Sequence, residues 1–295
     1  MILYRKTPIV EVASGMLTKA GIRLLVKRED LNHPEISGNK WWKLKYNLEQ
    51  AKVLGKTTLL TLGGAYSNHI YSTAAAAREA GFNSIGIIRG EEVLPLNKTL
   101  QFATDCGMKL HFISRERYRA REDGNFVKDL QNDFGDFYFI PEGGTNALAV
   151  KGCAELANEI EAAVDFDYLC LPVGTGGTLA GLVVGLGGRK KAVGVSVLKG
   201  GEFLSGEVSD MVFAYAGETY SGGWDILTEY HFGGYAKSKP ELTRFIEATE
   251  QTWNFPLDAV YTGKALFAVM DRVGAGWFSR GSTVLFLHTG GLQGK

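Results

Sequence analysis

The chain has 295 residues, 45% hydrophobic and 22% charged, which fits a soluble globular enzyme of one large or two modest domains. Its 32 basic residues balance 32 acidic ones, so no net field draws nucleic acid or an anionic membrane, and local basic clusters are left for small anions. No stretch is apolar enough to span a bilayer, the amino terminus has no signal-like core, and Cys106, Cys153 and Cys170 suit reduced, buried thiols, so a cytoplasmic protein is expected.

In chain order, short β-branched or apolar runs predict buried strands over 24–27, 57–62, 85–88, 109–113, 168–173, 193–197 and 284–287. Helical spacing and helix-forming residues predict helices over 42–54, 68–80, 96–104, 147–162, 178–186, 240–252 and 263–273, with Pro240 suited to a first turn. Strand alternating with helix implies parallel sheet with crossover helices. The glycines punctuate this series in discrete clusters and form no low-complexity tract. Residues 43–141 read as their own β-α series, inserted in a larger unit made of 1–42 and 142–295, and a ligand is expected in the cleft between the two.

Several constellations along this series carry candidate chemistry. Lys40, in Gly38-Asn39-Lys40, stands at a loop-to-helix junction beside a flexible corner. Such a lysine can be an ordinary polar residue near a helix start or a nucleophilic amine for a cofactor aldehyde. Gly63-Gly64-Ala65-Tyr66-Ser67-Asn68-His69 reads as strand, glycine turn and helix start. Ser67 and Asn68 can simply cap the helix; alternatively, free N–H groups and Ser67 hold a substrate carboxylate while Asn68 donates to a ring hydroxyl. His69, counted with the substrate-facing residues of this turn, suits a satisfied structural histidine better than an acid or base.

In Gly174-Thr175-Gly176-Gly177-Thr178 an apolar run ends in glycines, and Thr178 can cap the helix that follows. Bare glycine amides can point at an anion, with Thr175 and Thr178 adding hydroxyl donors, so the motif serves equally as a tight turn or a phosphate cradle. It lacks the lysine of a nucleoside-triphosphate loop and departs from dinucleotide-binding spacing. Near the carboxyl terminus, Phe232-Gly233-Gly234-Tyr235, Tyr261-Thr262-Gly263-Lys264 and His288-Thr289-Gly290-Gly291 set polar or aromatic groups beside glycine turns, the pattern of a lined pocket. Lys237 and Lys264 read as surface or capping charges.

These motifs, with Thr7-Pro8, Lys27-Arg28-Glu29-Asp30-Leu31-Asn32 and Pro141-Glu142-Gly143-Gly144-Thr145-Asn146, run in order over nearly the whole chain. Together they resemble the pyridoxal-phosphate enzymes of the tryptophan synthase β fold (fold type II), in the branch of 1-aminocyclopropane-1-carboxylate (ACC) deaminase and D-cysteine desulfhydrase. The resemblance implies two open parallel-sheet α/β domains with pyridoxal 5'-phosphate in the cleft between them, a small amino-acid substrate and a homodimer. It implies that Lys40 bonds to the cofactor aldehyde, that Lys43 and residues 174–178 hold the phosphate, and that Asn68 contacts the ring hydroxyl. It further implies that Ser67 meets the substrate carboxylate or assists catalysis, that Tyr261 stacks on the pyridine with Tyr235 nearby, and that Thr289 meets the pyridine nitrogen. Lys40 must be neutral to attack, so burial and the nearby Lys43 are expected to lower its pKa, and its released amine is then placed to take the α-proton.

One departure bears on the reaction. Deaminases that open the cyclopropane ring carry Glu where this chain has Thr262, and a carboxylate there keeps the pyridine nitrogen protonated as a strong electron sink. A neutral partner, Thr289 or Thr262, is adequate when a good β-leaving group such as thiolate departs. The expectation is therefore α,β-elimination from a D-amino acid such as D-cysteine, giving pyruvate, ammonia and sulfide, with ACC deamination as the alternative. A reading from another class is a non-catalytic small-anion or nucleotide binder with Lys40 as a phosphate clamp. Trp41-Trp42 also departs from the family pattern, and two indoles beside the lysine are expected to reshape the entrance.

Overall fold

The computed structural model describes residues 2–294. The chain opens with β1 (Ile9–Val12), α1 (Gly15–Ala20), β2 (Arg23–Lys27) and α2 (Asn39–Val53). A compact run follows: β3 (Thr58–Gly64), α3 (Asn68–Ala80), β4 (Asn83–Arg89), α4 (Lys98–Asp105), β5 (Met108–Ile113), α5 (Arg115–Arg119), α6 (Phe126–Phe134) and β6 (Tyr138–Ile140). The remainder comprises α7 (Ala147–Ala163), β7 (Tyr168–Val173), α8 (Gly177–Leu186), β8 (Lys191–Ser196), α9 (Leu204–Ala216), β9 (Trp224–Leu227), α10 (Pro240–Trp253), α11 (Thr262–Gly274) and β10 (Thr283–Leu287).

Two sheets result. One has four parallel strands in the order β5-β4-β3-β6, and the other has six in the order β1-β2-β10-β7-β8-β9. In the larger sheet β2, β10, β7, β8 and β9 are parallel, as expected, and the unpredicted edge strand β1 adds antiparallel to β2. Alternate residues of β7 enter different cores: Leu169 and Leu171 pack with α7 and α8, whereas Cys170 packs with α11. Helices therefore cover both faces, which is why these strands read as unbroken apolar runs. All three cysteines are free and buried. No helix among the described residues is long and apolar enough to cross a membrane.

Each expected strand and helix is present, with ends shifted by a few residues. The unexpected elements are β1, β6, β9, α1, α5, α6 and α9. All but α9 are short, or highly charged, or both, so neither period has room to declare itself; α9 is 13 residues long but buries only Leu204, Val208 and Val212.

The backbone approach to α2 sets the position of Lys40. Gly38 has φ +72°, and a Cβ built there would lie 1.8 Å from the Thr289 carbonyl oxygen. Asn32 grips this glycine from the other side, accepting its N–H at 2.9 Å and donating to its carbonyl at 2.9 Å. Glu29, fully buried, accepts from Asn32 at 2.9 Å and from the Trp42 indole at 2.7 Å, and lies 3.4 Å from the Lys27 amine. The Trp41 indole donates to the Leu3 carbonyl at 2.9 Å. Both indoles are thus buried on the side of α2 facing the amino-terminal segment and neither lines the cavity, so they do not reshape its entrance as expected.

Gly38→Ala combines an unfavourable φ with a collision against rigid backbone. It is expected to lower the unfolding free energy by about 3 kcal/mol, measured by urea denaturation of the variant beside the parent.

Candidate active site

A cavity of about 460 Å³ lies beyond the carboxyl ends of β3, β7 and β10, the place where open α/β sheets bind ligands. Its wall includes Asn39, Lys40 and Lys43 from the first turns of α2, Ser67 and Asn68 at the start of α3, and the turn between β7 and α8. Tyr235, Tyr261 and Thr289 also line it.

Lys40 is half-buried at the cavity wall, and among the described residues its amine has no hydrogen-bond partner. Burial lowers its pKa to about 8, opposed by Cys153. Lys43 is buried, donates to the Gly143 carbonyl at 2.8 Å and the Thr145 hydroxyl at 3.0 Å, and has a pKa lowered to about 7, by burial first and by Lys40 second. The expected depression of Lys40 is present, but burial causes it; the repulsion between the two amines falls on Lys43.

The turn at 174–178 has the form of an anion cradle. Gly176, at φ +76°, precedes α8, and no side chain caps the helix; the Gly177 N–H donates to the Thr175 carbonyl at 3.0 Å, which leaves the amides of Thr178 and Leu179 uncapped. Thr178 lies inside that first turn, which corrects the expectation that it caps the helix; its hydroxyl accepts from the Asn39 amide at 2.8 Å. The Thr175 hydroxyl meets that of Thr145 at 2.7 Å. A Cβ on Gly177 would lie 3.2 Å from the Lys43 amine, so an ammonium flanks the bare amides.

Ser67, also in the cavity wall, caps α3 by accepting from the amides of His69 at 3.2 Å and Ile70 at 3.3 Å. Capping uses the oxygen as acceptor and leaves the O–H to donate into the cavity, so the two readings of Ser67 are compatible. The Asn68 carbonyl oxygen accepts from Gln293, leaving its NH₂ as a donor. His69 is buried with Nε2 at 2.8 Å from the Thr61 hydroxyl and Nδ1 at 3.4 Å from that of Thr73. Burial and the neighbouring Lys40 and Lys43 push its pKa well down. His69 lines the cavity, but both ring nitrogens are engaged by threonine hydroxyls, which fits the reading of a satisfied structural histidine.

Tyr235 and Tyr261 meet edge to face with centroids 6.0 Å apart. Burial raises both phenol pKa values, so both are protonated donors at neutral pH. A Cβ on Gly174 would lie 3.2 Å from the Tyr261 ring, which therefore rests against the glycine turn. Thr289 lines the cavity, whereas Thr262 is fully buried, donates to Asp258 at 2.7 Å and accepts from its N–H at 2.9 Å. Of the two threonines considered for the pyridine nitrogen, only Thr289 reaches the cavity. Lys237 is exposed as expected, but Lys264 is fully buried and donates to two backbone carbonyls, so it is no surface charge.

Asn39, Thr145, Arg89 and the Arg121–Glu142 ion pair at 2.9 Å also line the cavity and were not singled out as site residues. Asn39 and Thr145 sit inside quoted motifs, but their partners, Thr178 and Thr175, are remote in sequence. Arg89 ends β4 in register with Gly64, a placement that only strand pairing creates.

A poorly solvated amine and an uncapped helix start flanked by a second amine are what an enzyme needs to hold a phosphorylated aldehyde, and they define its class as lysine-dependent cofactor catalysis. The sequence agrees with that demand. The chain belongs to the pyridoxal-phosphate dependent enzyme family, whose profile matches residues 1–290, and its cofactor is pyridoxal phosphate. A Pyrococcus furiosus protein named provisionally as 1-aminocyclopropane-1-carboxylate deaminase is 33% identical over 98% of this chain and 90% of its own. The mitochondrial bifunctional D-cysteine desulfhydrase/1-aminocyclopropane-1-carboxylate deaminase of Arabidopsis thaliana is 31% identical over 93% of this chain and 73% of its own. A crystal structure described as an ACC deaminase homologue superposes with a TM-score of 0.87 at 29% identity, covering 100% of this chain and 92% of that one. The expectation of a fold-type II α/β enzyme is met, which sets aside the non-catalytic binder.

Lys40, Lys43 and Lys264, with pKa values of about 8, 7 and 8, bind fewer protons folded than unfolded between pH 7 and 9. Stability of the cofactor-free protein should therefore rise with pH over that window, since the unfolded state binds more protons there. Urea midpoints at pH 7, 8 and 9 should show this slope, and a double Lys40→Met, Lys43→Met variant should flatten it.

Proposed function

We propose that this enzyme catalyses α,β-elimination of D-cysteine to pyruvate, ammonia and sulfide. The observation carrying the choice is the commitment of Thr262 to Asp258, which leaves the neutral hydroxyl of Thr289 as the side chain available to the pyridine nitrogen. A neutral partner suits departure of a good leaving group better than opening of a carbon ring. When bound, pyridoxal phosphate supplies an electron sink for the pair left at the substrate α-carbon.

The chain's own residues do the rest. Lys43 and the amides of 174–178, with Thr175 and Thr178, hold the phosphate, and the Asn39 amide orients the Thr178 hydroxyl. Tyr261, resting on Gly174, gives the pyridine ring a face, and the Asn68 NH₂ donates to its hydroxyl. The Ser67 hydroxyl and the Asn68 N–H hold the substrate carboxylate, since the amides of His69 and Ile70 are taken up by the Ser67 cap. Lys40 would hold the cofactor aldehyde, and its free Nζ would take the α-proton; a pKa lowered to about 8 makes the neutral amine a larger minority near physiological pH than in an ordinary lysine. The protonated phenols of Tyr235 and Tyr261 can donate to the departing sulfur as the Cβ–S bond breaks and its electron pair leaves with sulfide. The eliminated enamine then takes up water to give pyruvate and ammonia. The cleft separates a proposed smaller unit, 43–141, from a larger one, 1–42 with 142–295.

The names carried by the relatives favour a second reading, deamination of ACC. Sulfide release from D-cysteine and ammonia release from ACC, assayed side by side on the holoenzyme, decide between them; ACC turnover equal to or above that of D-cysteine refutes the first. Lys40→Ala is expected to abolish both activities and the borohydride-sensitive visible absorbance of the holoenzyme. Thr289→Val should lower kcat by about tenfold, consistent with loss of one hydrogen bond at the ring.

A further inference from the structure

The segment leading to Tyr235 is held in an unfavourable backbone shape. Phe232 and Ala236 have φ of +52° and +55°, and Gly233 and Gly234 lie at +101° and +119°. Non-glycine residues avoid this region because Cβ crowds the backbone, so something must hold Phe232 and Ala236 there. The amine of Lys264 reaches both ends of the turn, donating to the His231 carbonyl at 2.8 Å and the Gly234 carbonyl at 2.8 Å. The turn closes on itself through the Gly234 N–H to the His231 carbonyl at 3.0 Å.

Lys264 is the third residue after Tyr261, on the first turn of α11. Asp258 fixes that start: it accepts from the amides of Val260 at 2.8 Å, Tyr261 at 2.6 Å and Thr262 at 2.9 Å. Its charge also favours the ammonium form of Lys264 against the effect of burial. One side chain thus links the segment carrying Tyr261 to the turn preceding Tyr235. A fully buried ammonium is costly unless its donors are used, and an apolar residue would fill the same space without that cost. The two carbonyls just before Tyr235 account for its presence.

We propose that Lys264 is a positioning residue: its ammonium clamps the His231 and Gly234 carbonyls and so sets the Tyr235 phenol against Tyr261 at the cavity wall. The inference rests on the functional reading above only for the substrate used in one arm of its test.

Holoenzymes of Lys264→Gln, Lys264→Arg, Tyr235→Phe and the double Lys264→Gln, Tyr235→Phe variant are compared with the parent by amide hydrogen exchange and D-cysteine kinetics. Lys264→Gln should retain the cofactor absorbance and exchange faster at 231–236 with α3 and α10 unchanged. Its kcat should fall by about tenfold at nearly constant KM, and Lys264→Arg should recover part of the loss. In the Tyr235→Phe background the Lys264→Gln change should cost less than about twofold, the mark of residues acting through one another. Unchanged exchange at 231–236, or losses that multiply in the double variant, overturn the proposal. Failure of both Lys264 variants to fold also overturns it, by making the lysine a folding residue. If the parent does not turn over D-cysteine, the functional reading fails while the exchange arm still decides the role of Lys264.

Discussion

A contact between main chain and main chain governs this molecule: the α-carbon of Gly38 against the carbonyl of Thr289. It joins the loop that launches α2 to the end of β10, and the Asn39 amide donates to the same carbonyl at 3.3 Å. Because no side chain intervenes, the first turn of α2 docks directly on the end of the strand, which puts Lys40 and Thr289 on one cavity wall. The run from Lys27 to Asn32 exists to hold that loop. Asn32 brackets Gly38 with two hydrogen bonds, Glu29 ties Asn32 to Trp42, and Arg28 pairs with Asp30 at 2.7 Å. These charges are buried as mutually satisfied groups, the condition under which buried ions are tolerated.

The same burial shapes the electrostatics of the site. Lys40 and Lys43 are poorly solvated and near each other, so the protein without its cofactor carries amines whose charged forms are disfavoured. An anion beside Lys43 and the bare amides of 174–178 relieves that penalty, so cofactor binding and the charge state of the site are linked. The neutral His69 beneath the Ser67 turn adds no further cation to this crowded wall.

Acidic and hydroxyl groups near Tyr261 are divided between supporting the backbone and lining the cavity. Asp258 is the buried carboxylate nearest Tyr261 in sequence, but it spends its oxygens on the start of α11 and on Thr262. Thr289 lines the cavity as a neutral hydroxyl. The carboxylate therefore supports the backbone that carries Tyr261, and the cavity wall at this point is polar without being charged.

Local pattern in the sequence was enough for the α/β class, seven strands, seven helices and the glycine turns beside Lys40, Ser67, Asn68, Tyr235, Tyr261 and Thr289, whereas Lys43 entered only through the family resemblance. Buried parallel strands need continuous apolar runs, and glycine turns must fall where backbone meets ligand or backbone. Partnership was not legible. That Thr178 is held by Asn39 and stands inside α8, that the indoles of Trp41 and Trp42 face Leu3 and Glu29, and that Thr262 is spent on Asp258 all depend on where remote segments arrive. Lys264 shows the difference most plainly: a lysine near a helix start is by default a solvated charge, and only packing against the 231–234 turn makes it a buried donor. Residue type and spacing determine what a segment can do, while burial and hydrogen-bond partners are properties of the assembled chain and are decided only when distant segments meet.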